Sequence, residues 1–340
     1  MTSTNTKFNK VDEENFVPLF SDNHHTVRRL KTHEITYKRK TKQKQIHHYV
    51  FGRVLGQGSF AKVREAWDTH DDVLVAVKII KKRNLKKIPK GEENIYREID
   101  IMKQVHHRYC IRFIDFFSLE EKEKLYIVVE YAGGGSLAKL LEDAPENKLP
   151  LCQARSLFVQ LLEALEYLHS LGFVHSDVKP ENMLLSFDCQ LKLSDFGSAQ
   201  KLSDGITNCT FCGSPAFQPP EVAQGKMEFS GTAVDVWAAG VTLYMMTVGK
   251  FPFEGENVYQ LFENISACEY DIPLSLDHEL GALLRSILVP EPKERFTLDQ
   301  IKRHPWMTKD LDEIPWLRLP PLQTDFQQRS KSCCSFCTIV

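Results

Sequence analysis

His175-Ser176-Asp177-Val178-Lys179-Pro180-Glu181-Asn182, followed after a short apolar passage by Asp195-Phe196-Gly197, is the stretch on which the reading of this chain turns. Two carboxylates, an amide and a lysine stand close together in sequence. Asn182 and Asp195 offer the hard oxygen ligands that Mg²⁺ prefers. Asp177 offers a carboxylate that can accept or orient the proton of an attacking hydroxyl. Lys179, two residues further on, is placed to balance phosphate charge. Asp195-Phe196-Gly197 alone is an ordinary turn, and its weight comes from its surroundings.

Upstream, Leu157, Leu161, Leu165 and Leu168, with Phe158 and Leu162, form one apolar stripe at helical spacing. Gly172 ends it, and that helix delivers the chain to His175. Leu125 to Ala132 reads as a fully buried strand, with Gly133-Gly134-Gly135 as a bend after it. Further upstream comes Leu55-Gly56-Gln57-Gly58-Ser59-Phe60-Ala61-Lys62-Val63, then Val75-Ala76-Val77-Lys78. Gly56 and Gly58 let a backbone approach phosphates that a Cβ would obstruct. Lys78 can neutralise phosphates if a carboxylate holds it. Ile95, Glu98 and Met102 share a helical face, so Glu98 points with the apolar side toward the sheet.

In this order and spacing, the segments resemble the ATP-handling parts of a protein kinase. The resemblance implies an α+β, bilobal fold with a small lobe of mainly antiparallel sheet plus one helix and a mainly helical large lobe. It implies ATP binding by Leu55, Gly56, Gln57, Gly58, Ser59, Phe60, Ala61, Lys62, Val63, Ala76, Lys78, Glu98, Glu130 and Ala132, with the hinge backbone after Val129 bonding adenine. Asp177 and Lys179 are implied as catalytic, and Asn182 and Asp195 as ligands of Mg²⁺ or Mn²⁺. Lys179 marks serine/threonine rather than tyrosine kinases. Glu221 and Arg295 are implied as a buried ion pair, and Asp235 as the residue that holds the catalytic loop from below. The kinase domain is expected over 49–306, after a disordered basic extension (1–48) and before a flexible tail (307–340).

Lys86 to Asn94, Gly213-Ser214-Pro215-Ala216-Phe217-Gln218-Pro219-Pro220-Glu221, and Pro252 to Ile265 look like the liver-kinase (Peutz–Jeghers tumour-suppressor) family. That family activates AMP-activated protein kinase and its relatives by phosphorylating an activation-loop threonine. It also implies energy-sensing and cell-polarity roles, and activation by a pseudokinase and a helical-repeat scaffold. Many kinases carry an arginine before the catalytic aspartate, paired with a loop phosphate. Here Ser176 is short and uncharged, so a phosphate on Thr207, Thr210 or Ser214 lacks that partner, and partner binding would order the loop instead. Glu181 is a residue that in other kinases reads a basic substrate side chain. Competing readings are a pseudokinase scaffold and a neighbouring calmodulin-dependent or checkpoint-like kinase. The retained Lys78, Asp177 and Asp195 count against the first. The lack of a basic amphipathic helix after Trp306 counts against a calmodulin gate.

Composition agrees with this reading. The 340 residues suffice for two lobes, and a net charge of −2 gives no overall field for nucleic acid. The nine cysteines are scattered and read as free thiols, with Cys209-x-x-Cys212 a weak candidate redox pair or half metal site. With no signal core and no apolar run of spanning length, a soluble protein of cytoplasm and nucleus is expected, Lys38 to Lys44 being a candidate import signal. The chain closes in Cys333-Cys334-Ser335-Phe336-Cys337-Thr338-Ile339-Val340. Cys337 fits a prenylation pattern, Cys333 and Cys334 are available for palmitate, and peripheral membrane attachment is the expectation.

Overall fold

The computed structural model describes residues 28–30, 35–37, 44–58, 61–202, 206–207, 213–226 and 229–311. Ser59, Phe60, Cys209, Thr210, Cys212, Cys333, Cys334 and Cys337 lie outside them. The chain divides into two compact units, one holding residues 113–130 and the described chain up to Ile99, the other the rest of the described chain.

The first unit is a curled sheet. Its strands are β1 (Arg28–Leu30), β2 (Ile35–Tyr37), β3 (Lys44–Ile46), β4 (Tyr49–Gln57), β5 (Ala61–Asp68), β6 (Val73–Lys81), β7 (Phe113–Leu119) and β8 (Lys124–Glu130), in the order β1-β7-β8-β6-β5-β4-β3-β2. All pairings are antiparallel except β1 with β7. Successive side chains alternate between faces, and valine and isoleucine in Val73-Leu-Val-Ala-Val-Lys-Ile-Ile-Lys suit that buried surface. One face carries the core of Ile46, Tyr49, Phe51, Ala66, Val75, Val77, Phe117, Leu119, Tyr126 and Val128. Phe117 stacks between Tyr126 (centroids 4.9 Å apart) and Tyr49 (5.7 Å). After β6 come α1 (Lys82–Leu85) and α2 (Gly91–Gln104), which carries Glu98.

The sheet reaches beyond the boundary expected near Tyr49. The residues before it supply β1, β2 and β3, where disorder was expected, and Ile46 is fully buried. Three-residue strands are too short for an alternating pattern to register in sequence. Their order comes from pairing with β7 and β4.

The second unit is helical: α3 (Leu137–Asp143), α4 (Leu151–Ser170), α5 (Pro220–Ala223), α6 (Gly231–Val248), α7 (Val258–Ala267), α8 (His278–Ile287), α9 (Leu298–Lys302) and α10 (Pro305–Thr308). Leu157, Phe158, Leu161, Leu162, Leu165 and Leu168 of α4 are all buried, as the stripe requires. Gly172 follows the helix at φ +76, the left-handed conformation of a helix stop. A small ladder of Gly135–Ser136, Met183–Leu185 and Leu191–Leu193 carries the segment that contains Asn182 and leads to Asp195. No described helix is long and apolar enough to cross a membrane.

Arg295 meets Glu221 through two parallel bonds of 3.0 and 3.1 Å, each side chain 1% exposed. The remaining guanidinium donors go to the carbonyls of Ala233 and Val289, and the plane lies over Trp237 at 4.9 Å. With every donor placed, this pair ties α5 to the start of α6. Removing one partner strands a buried charge, so Glu221→Gln or Arg295→Met should cost about 3–5 kcal/mol. Chemical denaturation reads this directly. A double replacement by Leu and Met should recover part of the loss, because neither charge is then left alone.

Candidate active site

On the sheet unit the phosphate-side residues are built by register. Val63 pairs with Lys78, so Lys78, Ala76 and Val63 project from the same face. Lys62 pairs with Ile79 and projects from the opposite face. Its side chain is therefore turned away from Lys78, which alternation along β5 makes unavoidable. The Lys78 Nζ donates to Glu98 Oε1 at 2.6 Å, and Glu98 is 4% exposed, so the helix does supply the carboxylate that holds this lysine. Between β4 and β5 the turn closes with Gly58 N–H donating to Ala61 O at 2.9 Å. Among the described residues nothing occupies the space of a Cβ at Gly56, and at Gly58 the nearest atom is Ala61 O at 3.9 Å. Packing among the described residues therefore does not demand glycine here. Glu130 ends β8 in this unit, whereas Ala132 belongs to the other.

On the helical unit the group is organised by Asp235. It is fully buried in α6, and its Oδ2 accepts from His175 N–H at 2.9 Å while Oδ1 accepts from Ser176 N–H at 2.8 Å. His169 at the end of α4 adds its Nε2 at 2.8 Å. Ser176 is held at φ +62, a conformation that costs a non-glycine residue roughly 1–3 kcal/mol. The His175 ring spans the loop. Its Nε2 faces the Ser194 carbonyl at 3.1 Å and so carries the proton, leaving Nδ1 to face Asp177 N–H at 3.4 Å.

Every hydrogen-bond partner of the Asp177 carboxylate here is a donor. Oδ2 takes Lys179 Nζ at 2.8 Å and Asn182 Nδ2 at 2.9 Å. Oδ1 takes Ser214 N–H at 3.0 Å and the Ser214 hydroxyl at 3.1 Å. Lys179 Nζ also donates to Ser214 Oγ at 2.6 Å, so the hydroxyl accepts from the lysine while it donates to the aspartate. Gly213 makes this approach feasible. Its φ is +93, and a Cβ there would stand 2.5 Å from Ser176 O. Asn182 is buried, and its amide nitrogen also bonds Asp177 O at 2.9 Å, so its side-chain oxygen is not used in holding Asp177. Asp195 is exposed at φ +63, while Phe196 beside it is fully buried against the His175 ring at 5.4 Å. Among the described residues no group of three or more His, Cys, Asp or Glu forms a stand-alone metal cage. Asn182 and Asp195 would serve a cation that takes its other oxygens from phosphate and water.

A profile for the protein kinase domain matches residues 49–307. A serine/threonine-protein kinase stk11 homolog of Dictyostelium discoideum is 48% identical over 82% of this chain, the match spanning 48% of that protein. STK11 of Mus musculus is 45% identical over 83% of this chain and 66% of its own length, and stk11 of Xenopus laevis 43% over 87% and 69%. The chain belongs to the STK11 family of serine/threonine protein kinases. Its match spans about half of the Dictyostelium relative and about two thirds of the vertebrate ones. The kinase has the bilobal protein kinase fold, with the curled sheet as small lobe and the helices as large lobe.

Two residues of this kinase escaped the sequence reading as parts of the site. Ser214 stood there only as a phosphate acceptor, yet its hydroxyl bridges the Asp177 and Lys179 side chains. His169 supports Asp235 and was visible only as a polar residue at the end of an apolar helix. For Ser214→Ala we expect a kcat fall of about tenfold, the loss of one or two charge-assisted bonds, with KM for ATP little changed. Steady-state kinetics with a peptide substrate measures both, and a KM effect alone would assign Ser214 to binding.

Proposed function

We propose that this kinase transfers the terminal phosphoryl group of ATP to serine and threonine hydroxyls of proteins, among them activation-loop threonines of AMP-activated-kinase-like kinases. The observation that carries the reading is the Asp177 carboxylate, oriented through Ser214, Lys179 and Asn182, in a chain that also pairs Lys78 with Glu98. The open backbone at Gly56 and Gly58 suits phosphates, and on the other unit the oxygens of Asn182 and Asp195 suit Mg²⁺. Bound Mg²⁺ supplies charge neutralisation on the phosphate oxygens. Lys78, held by Glu98, positions phosphates; Asp177 takes the proton of the attacking hydroxyl; Lys179 balances charge on the transferred group.

Control follows from Ser176, which cannot pair with a loop phosphate. A pseudokinase and a helical-repeat scaffold are the proposed activators, by likeness to the family. One experiment tests activity, substrate and control together. Phosphatase-treated kinase is assayed on activation-loop peptides with and without those partners. Wild type should be stimulated by partner and little affected by dephosphorylation, and Asp177→Asn should lose at least about a hundredfold in kcat. A wild-type rate in Asp177→Asn would remove the assigned base, and a large loss on dephosphorylation would remove the partner-only control.

A lipid on Cys337, with palmitate on Cys333 or Cys334, is proposed for the pool of kinase that leaves the cytoplasm and nucleus for membranes. One chain anchors marginally and a second makes attachment stable. Cys337→Ser should shift the kinase to the soluble fraction, and Cys333→Ser with Cys334→Ser should leave weaker attachment. Fractionation with mass spectrometry of the terminal peptide decides it; an unmodified Cys337 in cells with active prenyltransferases sinks the anchor.

A further inference from the structure

The sheet face opposite Lys78 ends in a basic groove, which starts beside the Gly58 turn and runs away from Lys78. Register dictates which side chains meet there. Lys62 pairs with Ile79, Arg64 with Val77, Ile79 with Tyr126, and Lys81 with Lys124. Alternation therefore puts Lys62, Arg64, Lys81, Lys124 and Tyr126 on one face. The curl of the sheet adds Lys44 of β3. Its Nζ lies 5.7 Å from the Phe51 ring, which Arg64 approaches at 5.8 Å. These residues line a basin of about 400 Å³.

Four observations mark the basin as more than a solvated face. Lys81 and Lys124 stand directly opposite each other on adjacent strands, an arrangement that costs stability without a counter-charge. Lys44 is lowered to about 8, first by burial and then by Lys124, Lys122 and Arg64, and burial and Lys81 likewise lower Lys124. Among the described residues none of the basin's cations has a carboxylate partner. Finally, Tyr126 is fully buried, and its hydroxyl, pushed up to about 12 by burial, has no hydrogen-bond partner among the described residues. A buried donor left unmade is expensive unless an acceptor arrives.

We propose that this groove binds a polyphosphorylated small group of the inositol polyphosphate kind, free or as a lipid headgroup. The Tyr126 hydroxyl donates to one phosphate oxygen, and Lys44, Arg64, Lys81 and Lys124 neutralise the rest. The spread of cations favours several phosphates over one. β5 and β8 are separated by β6, so their charges lie about 10 Å apart across the sheet, wider than a single phosphate can bridge.

The test uses the full chain in a Cys337→Ser background, so that no prenyl chain contributes to membrane binding. Isothermal titration with an inositol tetrakisphosphate and co-sedimentation with vesicles containing a phosphatidylinositol bisphosphate separate free ligand from headgroup. Either probe should bind. Lys81→Gln with Lys124→Gln should weaken it at least about tenfold, and Tyr126→Phe, which removes only the orphan hydroxyl, about three- to tenfold. Without probe, peptide phosphorylation by these variants should match the parent, since their side chains face away from Lys78. The proposal is overturned if neither probe binds, if both variants bind as well as the parent, or if only a phosphoserine peptide is retained.

Discussion

The bonds from Asp235 to the amides of His175 and Ser176 are the constraint from which the catalytic geometry descends. They are buried and charge-assisted, each worth about 1.5–3 kcal/mol, which offsets the cost of the left-handed Ser176. With Ser176 fixed, its carbonyl lies where only a glycine can approach, and Gly213 approaches it. That contact sets Ser214 against Asp177. A carboxylate deep in α6 thus positions one on the catalytic loop by way of the end of the activation segment.

The sheet unit solves a different problem with the period of a strand. β6 carries Lys78 on one face and Ile79 and Lys81 on the other, so adjacent lysines serve unrelated surroundings. Lys78 is matched by Glu98 at 2.6 Å, whereas Lys81 faces Lys124. Lys81 is exposed, so water screens part of that opposition. The charge that stays unpaired there is the one the proposed anion would neutralise.

Much of the fold and of the site was legible in the sequence because its markers are local and the fold fixes their spacing. The α4 stripe, its Gly172 stop and the inward face of α2 follow from periodicity alone, and the Lys78 partner follows from the chemistry a phosphate-binding lysine needs. What the sequence left dark is tertiary. The three-residue strands before Tyr49 owe their order to β4 and β7. Lys62 was grouped with the loop it follows, and only pairing with Ile79 reveals its direction. His169 and Ser214 become parts of the site through Asp235 and Asp177, which lie 66 and 37 residues away.

Ser214 shows how such a placement changes meaning. As a sequence residue in the activation segment it resembles a phosphate acceptor. In the structure its hydroxyl gives its proton to Asp177 and accepts one of the Lys179 bonds. A phosphate there would bring about −1.5 to −2 charge against the Asp177 carboxylate and take Lys179 as its own counter-ion. Both effects work against the catalytic pair. Ser214 therefore belongs to the machinery and not to its control. Ser176 offers no cation to a loop phosphate either, so a phosphate on Ser214 would find its counter-ion only by taking Lys179 from Asp177.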